Sequence, residues 1–254
     1  MSLLLHQLRY DQKVFWRNPP AVFFTVLFPV ILLLIFATIF GDQTIAVRGG
    51  IETTTYYVPA IITLSVISST MQTLAMTLTI AREDGRLKRG RGTPMPAWVF
   101  IAGRVGNSVV TALLMLALLA AMGRVFYSVP FPWGHLPELL ATLVVGAASF
   151  CCLGIALTAA IPSQDAAAPI VNALLMPLYF LSGVFIPEDE LSAGVINFAN
   201  HFPVRPFFEA FLAAYLPSGG SGGVEWGSLA VVAIWGVAGL LLAVRFFRWS
   251  PRGG

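Results

Sequence analysis

The residues best suited to ionic contacts crowd into one stretch, AREDGRLKRGRGTPMP, at positions 81–96. Five basic side chains stand there beside two carboxylates, although only 11% of the whole chain is charged. Such a cluster can anchor a chain at a membrane surface through its basic residues. It can also form directional ion pairs with a protein partner, a use that the carboxylates favour. The residue pattern alone leaves both possibilities open.

Other kinds of chemistry lack the residues they need. The three histidines, His6, His135 and His201, fall outside or at the edges of the apolar runs, whereas an intramembrane hydrolase needs a nucleophile and a base within them. The sequence has no GxxxxGK[ST] phosphate loop. The adjacent Cys151 and Cys152 lack the spacing of a metal cluster and are expected to pack as small residues. We therefore expect no catalytic residues, cofactor or metal ion in this chain.

The elements that must position these residues are long apolar runs. The chain is 57% hydrophobic, and its 11% of charged residues compares with about 25% in soluble domains. Continuous runs that cross a bilayer core of about 30 Å must be helical, because lipid offers the backbone no hydrogen-bond partners. The sequence predicts an all-α membrane protein of one domain, residues 1–254, with six transmembrane helices. They are expected at about 21–40, 55–80, 97–122, 136–160, 166–186 and 227–248.

The distribution of basic residues predicts the orientation of these helices. The first run is too long for a cleaved signal peptide, so we expect it to be retained. With six spans, 12 of the 15 lysine and arginine residues fall on the side of the two termini. Basic residues near span ends mark the cytoplasmic face, so both termini are expected in the cytoplasm. The same clustering at span ends argues against nucleic-acid binding, despite a pI of about 9.1.

Two of the expected helices carry polar stripes. Their residues recur at spacings of three and four, which place them on one face of each helix. Such stripes line a path or bind helices together, and the sequence leaves both uses open. A path of this composition is mostly apolar with a few hydrogen-bonding groups, which suits an amphiphilic drug or lipid. The candidate path residues are Ser65, Ser69, Gln72 and Met76 in the second helix, and Asn172, Met176 and Tyr179 in the fifth.

Two stretches carry a resemblance to a known family. AREDGRLKRGRGTPMP resembles the acidic, glycine and basic sequence that follows the second helix of type-2 ABC exporter permeases. LMPLYFLSGVFIPEDELSAGVINFANHFPVRPFFEAF, residues 175–211, resembles the fifth helix of that family and the external segment after it. Six spans, cytoplasmic ends and a long final outer loop extend the agreement over the whole chain. Arg86 departs from the family pattern, which often has a hydroxyl residue after the glycine.

The resemblance implies a permease half in the cytoplasmic (inner) membrane of a prokaryote, surrounded by lipid. Two permease chains, identical or paralogous, would pair and sit on two ATP-binding-cassette ATPase subunits, which would bind ATP and Mg²⁺. The segment after the second helix would dock on the ATPase. The coupling residues would be Arg82, Glu83, Asp84, Gly85, Arg86 and Leu87.

Helical geometry is also expected before the first span and after the second. The charged stretch is expected to extend the second helix as a rigid lever until Gly90, Gly92 and Pro94 end it. At the N-terminus, basic residues recur at i, i+4 and i+8 opposite apolar ones, which predicts a helix lying in the membrane interface. Similar helices in the resembling family border the ATPase, so Arg9 and Lys13 are expected to be minor coupling contacts.

The outer segment, residues 187–226, is cut by prolines and has no apolar run long enough to cross a bilayer. We expect two short re-entrant helices that dip into the outer leaflet, followed by a flexible Gly/Ser stretch. This segment gates an exit or caps the bundle passively, and the sequence leaves both open. The outer-gate candidates are Phe185, Pro187, Phe207 and Phe208.

The sequence therefore predicts the transmembrane subunit of an ATP-binding-cassette exporter, which moves an amphiphilic drug or lipid-like molecule outward with ATP hydrolysed by its partner. One alternative is a membrane anchor or assembly subunit that recruits an ATPase without transporting anything. Another is an ion-coupled secondary carrier. That alternative is disfavoured because such carriers usually hold ionisable groups at membrane depth, and the middles of the six expected helices have none.

Overall fold

A computed structural model describes most of the chain as long helices that pack side by side. The residues it describes are 12–13, 15–40, 44–45, 50–85, 87, 97–187, 190–216 and 223–246.

The helices are numbered in chain order. The first, α1, consists of the consecutive segments Pro19–Val22, Phe23–Leu27 and Phe28–Phe40, and α2 consists of Thr53–Ile67, Ser68–Gln72 and Thr73–Glu83. The following long helices are α3 (Ala97–Tyr127), α4 (Leu136–Thr158) and α5 (Gln164–Leu181). Two short helices, α6 (Ala193–Ala199) and α7 (Val204–Tyr215), precede α8 (Trp226–Phe246). Between α1 and α2, the two-residue strands β1 (Thr44–Ile45) and β2 (Ile51–Glu52) pair antiparallel.

Within the described residues, four helices are long and apolar enough to cross a membrane. They are Thr53–Glu83, Ile101–Tyr127, Trp133–Thr158 and Trp226–Phe246. The shorter apolar helix Thr25–Phe40 and helix α5 occupy the expected places of the first and fifth spans. The prediction of a mostly helical membrane protein is therefore confirmed, with four membrane-capable helices where the sequence placed them. The full six-span topology stays a prediction.

The second helix contains a wide π-turn near its middle. The N–H of Thr73 bonds the carbonyl of Ser68, five residues earlier, instead of the carbonyl four residues earlier. The hydroxyls of Ser69 and Thr70 both donate to the carbonyl of Val66 in the preceding turn. Hydroxyls that bond the backbone of their own helix commonly distort it. Such turns occur often at functional sites, and this one lies within the predicted polar stripe.

Close contacts through glycine join α4 to α8. A Cβ atom at Gly236 would overlap the side chain of Ser149, and one at Gly239 would lie 2.9 Å from the backbone nitrogen of Leu153. Small residues let helix backbones approach closely in membrane proteins, which increases the van der Waals contact between them. The two helices run in the same direction and make an extended contact, so we treat them as one packed pair.

The short helix α7 lies inside the bundle. All its residues except Glu209 are buried. Phe207 packs over Gly146 of α4. Because an α-helix rises about 1.5 Å per residue, this glycine lies roughly 15 Å along the axis of α4 from Leu136. At its other end Tyr215 packs edge-on against Phe131, with the ring centroids 6.0 Å apart. Two short helices are present in the expected segment, and α7 runs from the middle of α4 back to the loop before that helix. Their re-entry into the membrane stays a prediction.

The second helix ends earlier than the sequence predicted. It stops at Glu83, and Asp84 and Gly85 form a turn in which Gly85 has a φ of +67°. A residue in this left-handed conformation interrupts a helix, and glycine adopts it without a steric cost. The prediction of an unbroken lever reaching Gly90, Gly92 and Pro94 is therefore wrong. The residue Leu87 is helical again, whereas 86 and 88–96 lie outside the described residues.

Candidate functional site

The predicted coupling residues begin at the last turn of α2. Asp84 is exposed and Glu83 is 26% exposed, so both carboxylates are accessible at this end of the bundle. Gly85 follows them, and a Cβ atom there would meet nothing within 4 Å. Lys13 is also exposed. Arg9 and Arg86 lie outside the described residues.

Arg82 differs from its neighbours because it is buried, with 2% of its surface exposed. Its Nη1 donates to the carbonyl of Thr158 at 2.8 Å, and its Nη2 donates to the carbonyl of Ile161 at 2.9 Å. The last carbonyls of a helix lack partners within that helix, and a cation there also interacts favourably with the helix dipole. Arg82 therefore caps the end of α4 and binds the start of the link to α5. A carboxylate oxygen of Glu83 is 3.7 Å from the same guanidinium.

Leu87 is buried on the other side of the Asp84–Gly85 turn, with 6% of its surface exposed. It belongs to a compact apolar cluster that includes residues of α2, α4 and α8. Because burial of a leucine side chain contributes roughly 1.5–3 kcal/mol, this contact holds the segment after α2 against the bundle. The buried members of the cluster are Leu74, Leu78, Leu87, Cys151, Ile155 and Ala243.

The polar stripes of α2 and α5 meet each other. The Nε2 of Gln72 donates to Oδ1 of Asn172 at 2.8 Å, on an exposed face. One π-turn away, the hydroxyls of Ser68 and Tyr179 are 3.2 Å apart and share a hydrogen bond. These two contacts bring three of the predicted path residues together. They also add Ser68, which the predicted stripe left out.

The remaining path candidates have varied surroundings. Ser65 is buried and donates to the carbonyl of Ile61 in its own helix. Ser69 also bonds within α2, and Met76 is half-buried. Met176 of α5 is 56% exposed, next to the face that carries Asn172. The stripe is thus divided into residues that bond their own helix and residues that face α5 or the surface.

The π-turn of α2 also packs directly on α4. A Cβ atom at Gly154 would lie 2.9 Å from the carbonyl oxygen of Met71 and 3.3 Å from that of Thr70. Only glycine allows the two backbones to approach so closely. The wide turn is therefore supported by α4 on one side, while Ser68 and Gln72 bond α5 on the other.

At the opposite end of α2, two tyrosines hold the loop after α5. The hydroxyl of Tyr56 donates to the carbonyl of Gly183, and that of Tyr57 donates to the carbonyl of Phe185 at 3.3 Å. Gly183 has a φ of +92°, which explains why glycine stands in the LSGVFIP stretch. The loop is thereby fixed to the start of α2.

An ion pair made by a buried arginine lies next to this loop. Arg205 of α7 is 4% exposed, and its Nη2 is 2.8 Å from Oε1 of Glu209, one turn along the helix. Its Nε donates to Oδ1 of Asn200 at 3.0 Å, in the turn between α6 and α7. The sequence placed this arginine among the outer basic residues, because a hydropathy pattern does not show that α7 folds into the bundle.

The four outer-gate candidates surround the same region. Phe208 is buried and packs edge-on against Tyr56, with centroids 5.7 Å apart. Phe207 is buried over α4, whereas Phe185 and Pro187 are half-buried. Phe185 and Phe208 are linked by a series of ring contacts through Phe36, Tyr57 and Tyr56. Phe207 packs separately, against Phe150 of α4.

Comparisons with known proteins agree with this architecture. The sequence model of the ABC-2 type transporter family matches residues 4–216. The chain is 24% identical, over 174 residues, to "Probable multidrug ABC transporter permease YbhR" of Escherichia coli strain K12; the match covers 68% of this chain and 47% of YbhR. It is 29% identical, over 164 residues, to "Inner membrane transport permease YadH" of the same strain, covering 63% of each chain. The chain thus spans about half the length of YbhR.

Proposed function

The chain belongs to the ABC-2 type transporter family, and we propose that it is the membrane subunit of an exporter powered by a separate ATPase. In this proposal it moves an amphiphilic drug or lipid-like molecule outward across the cytoplasmic membrane. The name of YbhR refers to multidrug transport, which supports that substrate class. The name of YadH refers to the inner membrane, which supports the location.

The observation that carries the proposal is the exposed amide pair of Gln72 and Asn172. Polar side chains facing lipid are costly, so they usually face a bundle interior or a water-filled cavity. This pair lies next to the exposed Met176. A polar pair beside flexible apolar groups suits an amphiphilic ligand, which is largely apolar and has a few hydrogen-bonding groups. We propose that this face lines the transport path.

A second permease chain, identical or paralogous, would cover the same face and close the path. Two ATPase subunits, which bind ATP and Mg²⁺, would sit at the end of the bundle that carries Glu83 and Asp84. That end would face the cytoplasm together with both termini, in keeping with the bias of basic residues. The exposed carboxylates would form ion pairs with the ATPase, and Lys13 would add a minor contact.

The outer segment would act as the exit gate. The support is the burial of α7 and the ion pair that its buried Arg205 makes with the partly exposed Glu209. A buried ionisable group usually has a functional role in a membrane protein, because its burial is costly. Opening would separate Phe208 from Tyr56, Phe185 from Phe36 and Phe207 from α4.

The test is transport by the complex of this chain and its ATPase in liposomes. We expect ATP to drive movement of an amphiphilic dye, and reversal of Glu83 and Asp84 to lysine to abolish both ATPase binding and dye movement. Reversal of Glu225, an exposed carboxylate at the opposite end, is the matched control and should change neither.

The same assay separates the alternatives. A membrane anchor predicts that the ATPase binds while no dye moves. A secondary carrier predicts dye movement driven by an ion gradient with no ATPase present. Either result would contradict the exporter proposal.

A further inference from the structure

The buried arginine at the end of α2 has contacts that a docking residue does not need. Arg82 directs its guanidinium away from solvent and onto two carbonyls, one at the last residue of α4 and one in the link to α5. Charge-assisted hydrogen bonds are roughly twice as strong as neutral ones, and the planar fork of arginine fixes their direction. The position of α2 at this end is therefore tied to the position of α4.

A second attachment lies just beyond the turn. Leu87 is buried in the apolar cluster that contains Cys151 and Ile155 of α4 and Ala243 of α8. Between Arg82 and Leu87, the exposed Asp84 and the left-handed Gly85 form the accessible part of the segment. A force applied to the exposed turn therefore reaches the bundle at two fixed points, one polar and one apolar.

Both points lead to the same pair of helices. The glycine contacts of Gly236 and Gly239 hold α8 against α4 with the backbones close together. Close-packed helices transmit displacement because their interface has little free volume. The end of α2 also packs along α5, and α2 bonds α5 through the side chains of Gln72 and Ser68. The end of α2 is thus held by both α4 and α5, while α8 is held against α4.

We propose that Arg82 is a positioning residue that transmits displacement of the 83–87 segment to α4 and α8, and that it does not itself bind the ATPase. This inference rests on the proposed function, in which the ATPase docks on that segment. In this mechanism the end of α2, α4 and α8 move as one body. The bonds to the carbonyls of Thr158 and Ile161 are the essential link.

The test is the number of dye molecules moved per ATP hydrolysed by the complex in liposomes. We expect Arg82→Gln to lower this ratio by about tenfold, because two charge-assisted hydrogen bonds are lost. ATPase binding should be unchanged, since Glu83 and Asp84 remain. Arg82→Lys keeps the positive charge but loses the planar guanidinium that bonds two carbonyls at once. We therefore expect it to recover only a small part of the dye movement per ATP that Arg82→Gln loses. Arg245→Gln removes an exposed arginine at the same end of the bundle and is the matched control.

The outcomes separate the two levels of the proposal. If Arg82→Gln and Arg245→Gln give the same ratio, the transmitting role of Arg82 is wrong and the exporter proposal stands. Loss of ATPase binding in Arg82→Gln, with Arg245→Gln unaffected, would show that Arg82 is a docking residue. If the unmodified complex moves no dye with ATP, the proposed function fails and this inference fails with it.

A distance measurement covers the case in which Arg82→Gln does not fold. Spin labels are placed at Ile80 and Gln164, which are both exposed. They report the separation between the end of α2 and the first residue of α5, which follows the link that Arg82 binds. Cys151 and Cys152 are replaced by alanine in this variant. We expect a non-hydrolysable ATP analogue to leave this separation unchanged, and to leave unchanged the separation between Ile80 and Trp133, which immediately precedes α4, because the end of α2 and α4 move as one body. A change in either separation would overturn the proposal.

Discussion

The side-chain amide of Gln72 donates a hydrogen bond to the amide oxygen of Asn172 across 2.8 Å and joins α2 to α5 on an exposed face. Two amides that only held helices together would be expected in the interior of the bundle. Their exposure instead leaves them accessible from outside the described helices. In the proposed function, the pair combines a packing contact with recognition of the transported molecule.

We expect Gln72→Leu and Asn172→Leu to change which amphiphilic dyes the complex transports. The stability of the protein should fall only slightly, because interhelical hydrogen bonds in membranes average about 0.6 kcal/mol. Transport rates for a panel of dyes, at several concentrations, measure the effect. Thr38→Val is the matched control, since the hydroxyl of Thr38 is exposed and bonds only its own helix among the described contacts. An unchanged dye preference in both leucine variants would place the path elsewhere.

We expect Gly154→Leu to destabilise the protein by about 1–3 kcal/mol, the usual effect of inserting atoms into a packed interior. The added side chain would meet the carbonyl of Met71 at the π-turn, and backbone atoms cannot move aside cheaply. Thermal unfolding of the detergent-solubilised chain measures the change. Gly194→Leu is the matched control, because a Cβ atom there has nothing within 4 Å. Equal unfolding temperatures for the two variants would contradict the close contact between α2 and α4.

We expect Arg205→Met to destabilise the protein by about 1–3 kcal/mol, because it removes the buried guanidinium that bonds both Glu209 and Asn200. The double variant Arg205→Met with Glu209→Leu should be more stable than Arg205→Met alone, since it removes both charges. Thermal unfolding measures both, and Arg124→Met is the control at an exposed arginine. If the double variant is the least stable of the set, the ion pair is not the dominant interaction. Faster dye movement in a folded double variant would support the gate, whereas an unchanged rate would favour a passive cap.

The sequence predicted the long helices well because their signal is local. The apolar runs at 55–80, 136–160 and 227–248 correspond to helices whose ends differ from the prediction by a few residues. The polar stripes were recognisable for the same reason, since residues three and four apart share a helical face. The contact between Gln72 and Asn172 then follows if α2 and α5 are neighbours.

The errors and omissions occur where distant parts of the chain meet. The lever after α2 was predicted to continue because Gly85 was read as one residue in a helical charge pattern, whereas its left-handed backbone ends the helix. Arg82 was expected among the coupling contacts, and its sequence neighbours give no sign that it turns inward to the carbonyls of α4. The π-turn at Ser68 rotates the stripe, so Ser68 faces Tyr179, although a regular helical spacing favoured Ser65 and Ser69. The available signals were the cluster of hydroxyls near the π-turn and the glycine itself.

The most direct test of the account is a photo-cross-linking amino acid at Asp84 of the full chain in its native membrane. The account predicts a cross-link to an ATP-binding-cassette ATPase, because Asp84 is the most accessible of the described residues in the proposed docking segment. The same amino acid at Trp133, exposed at the opposite end, should give no such product. An ATPase adduct from Trp133, or adducts from Asp84 with lipid alone, would contradict the claim that the ATPase binds at this charged turn.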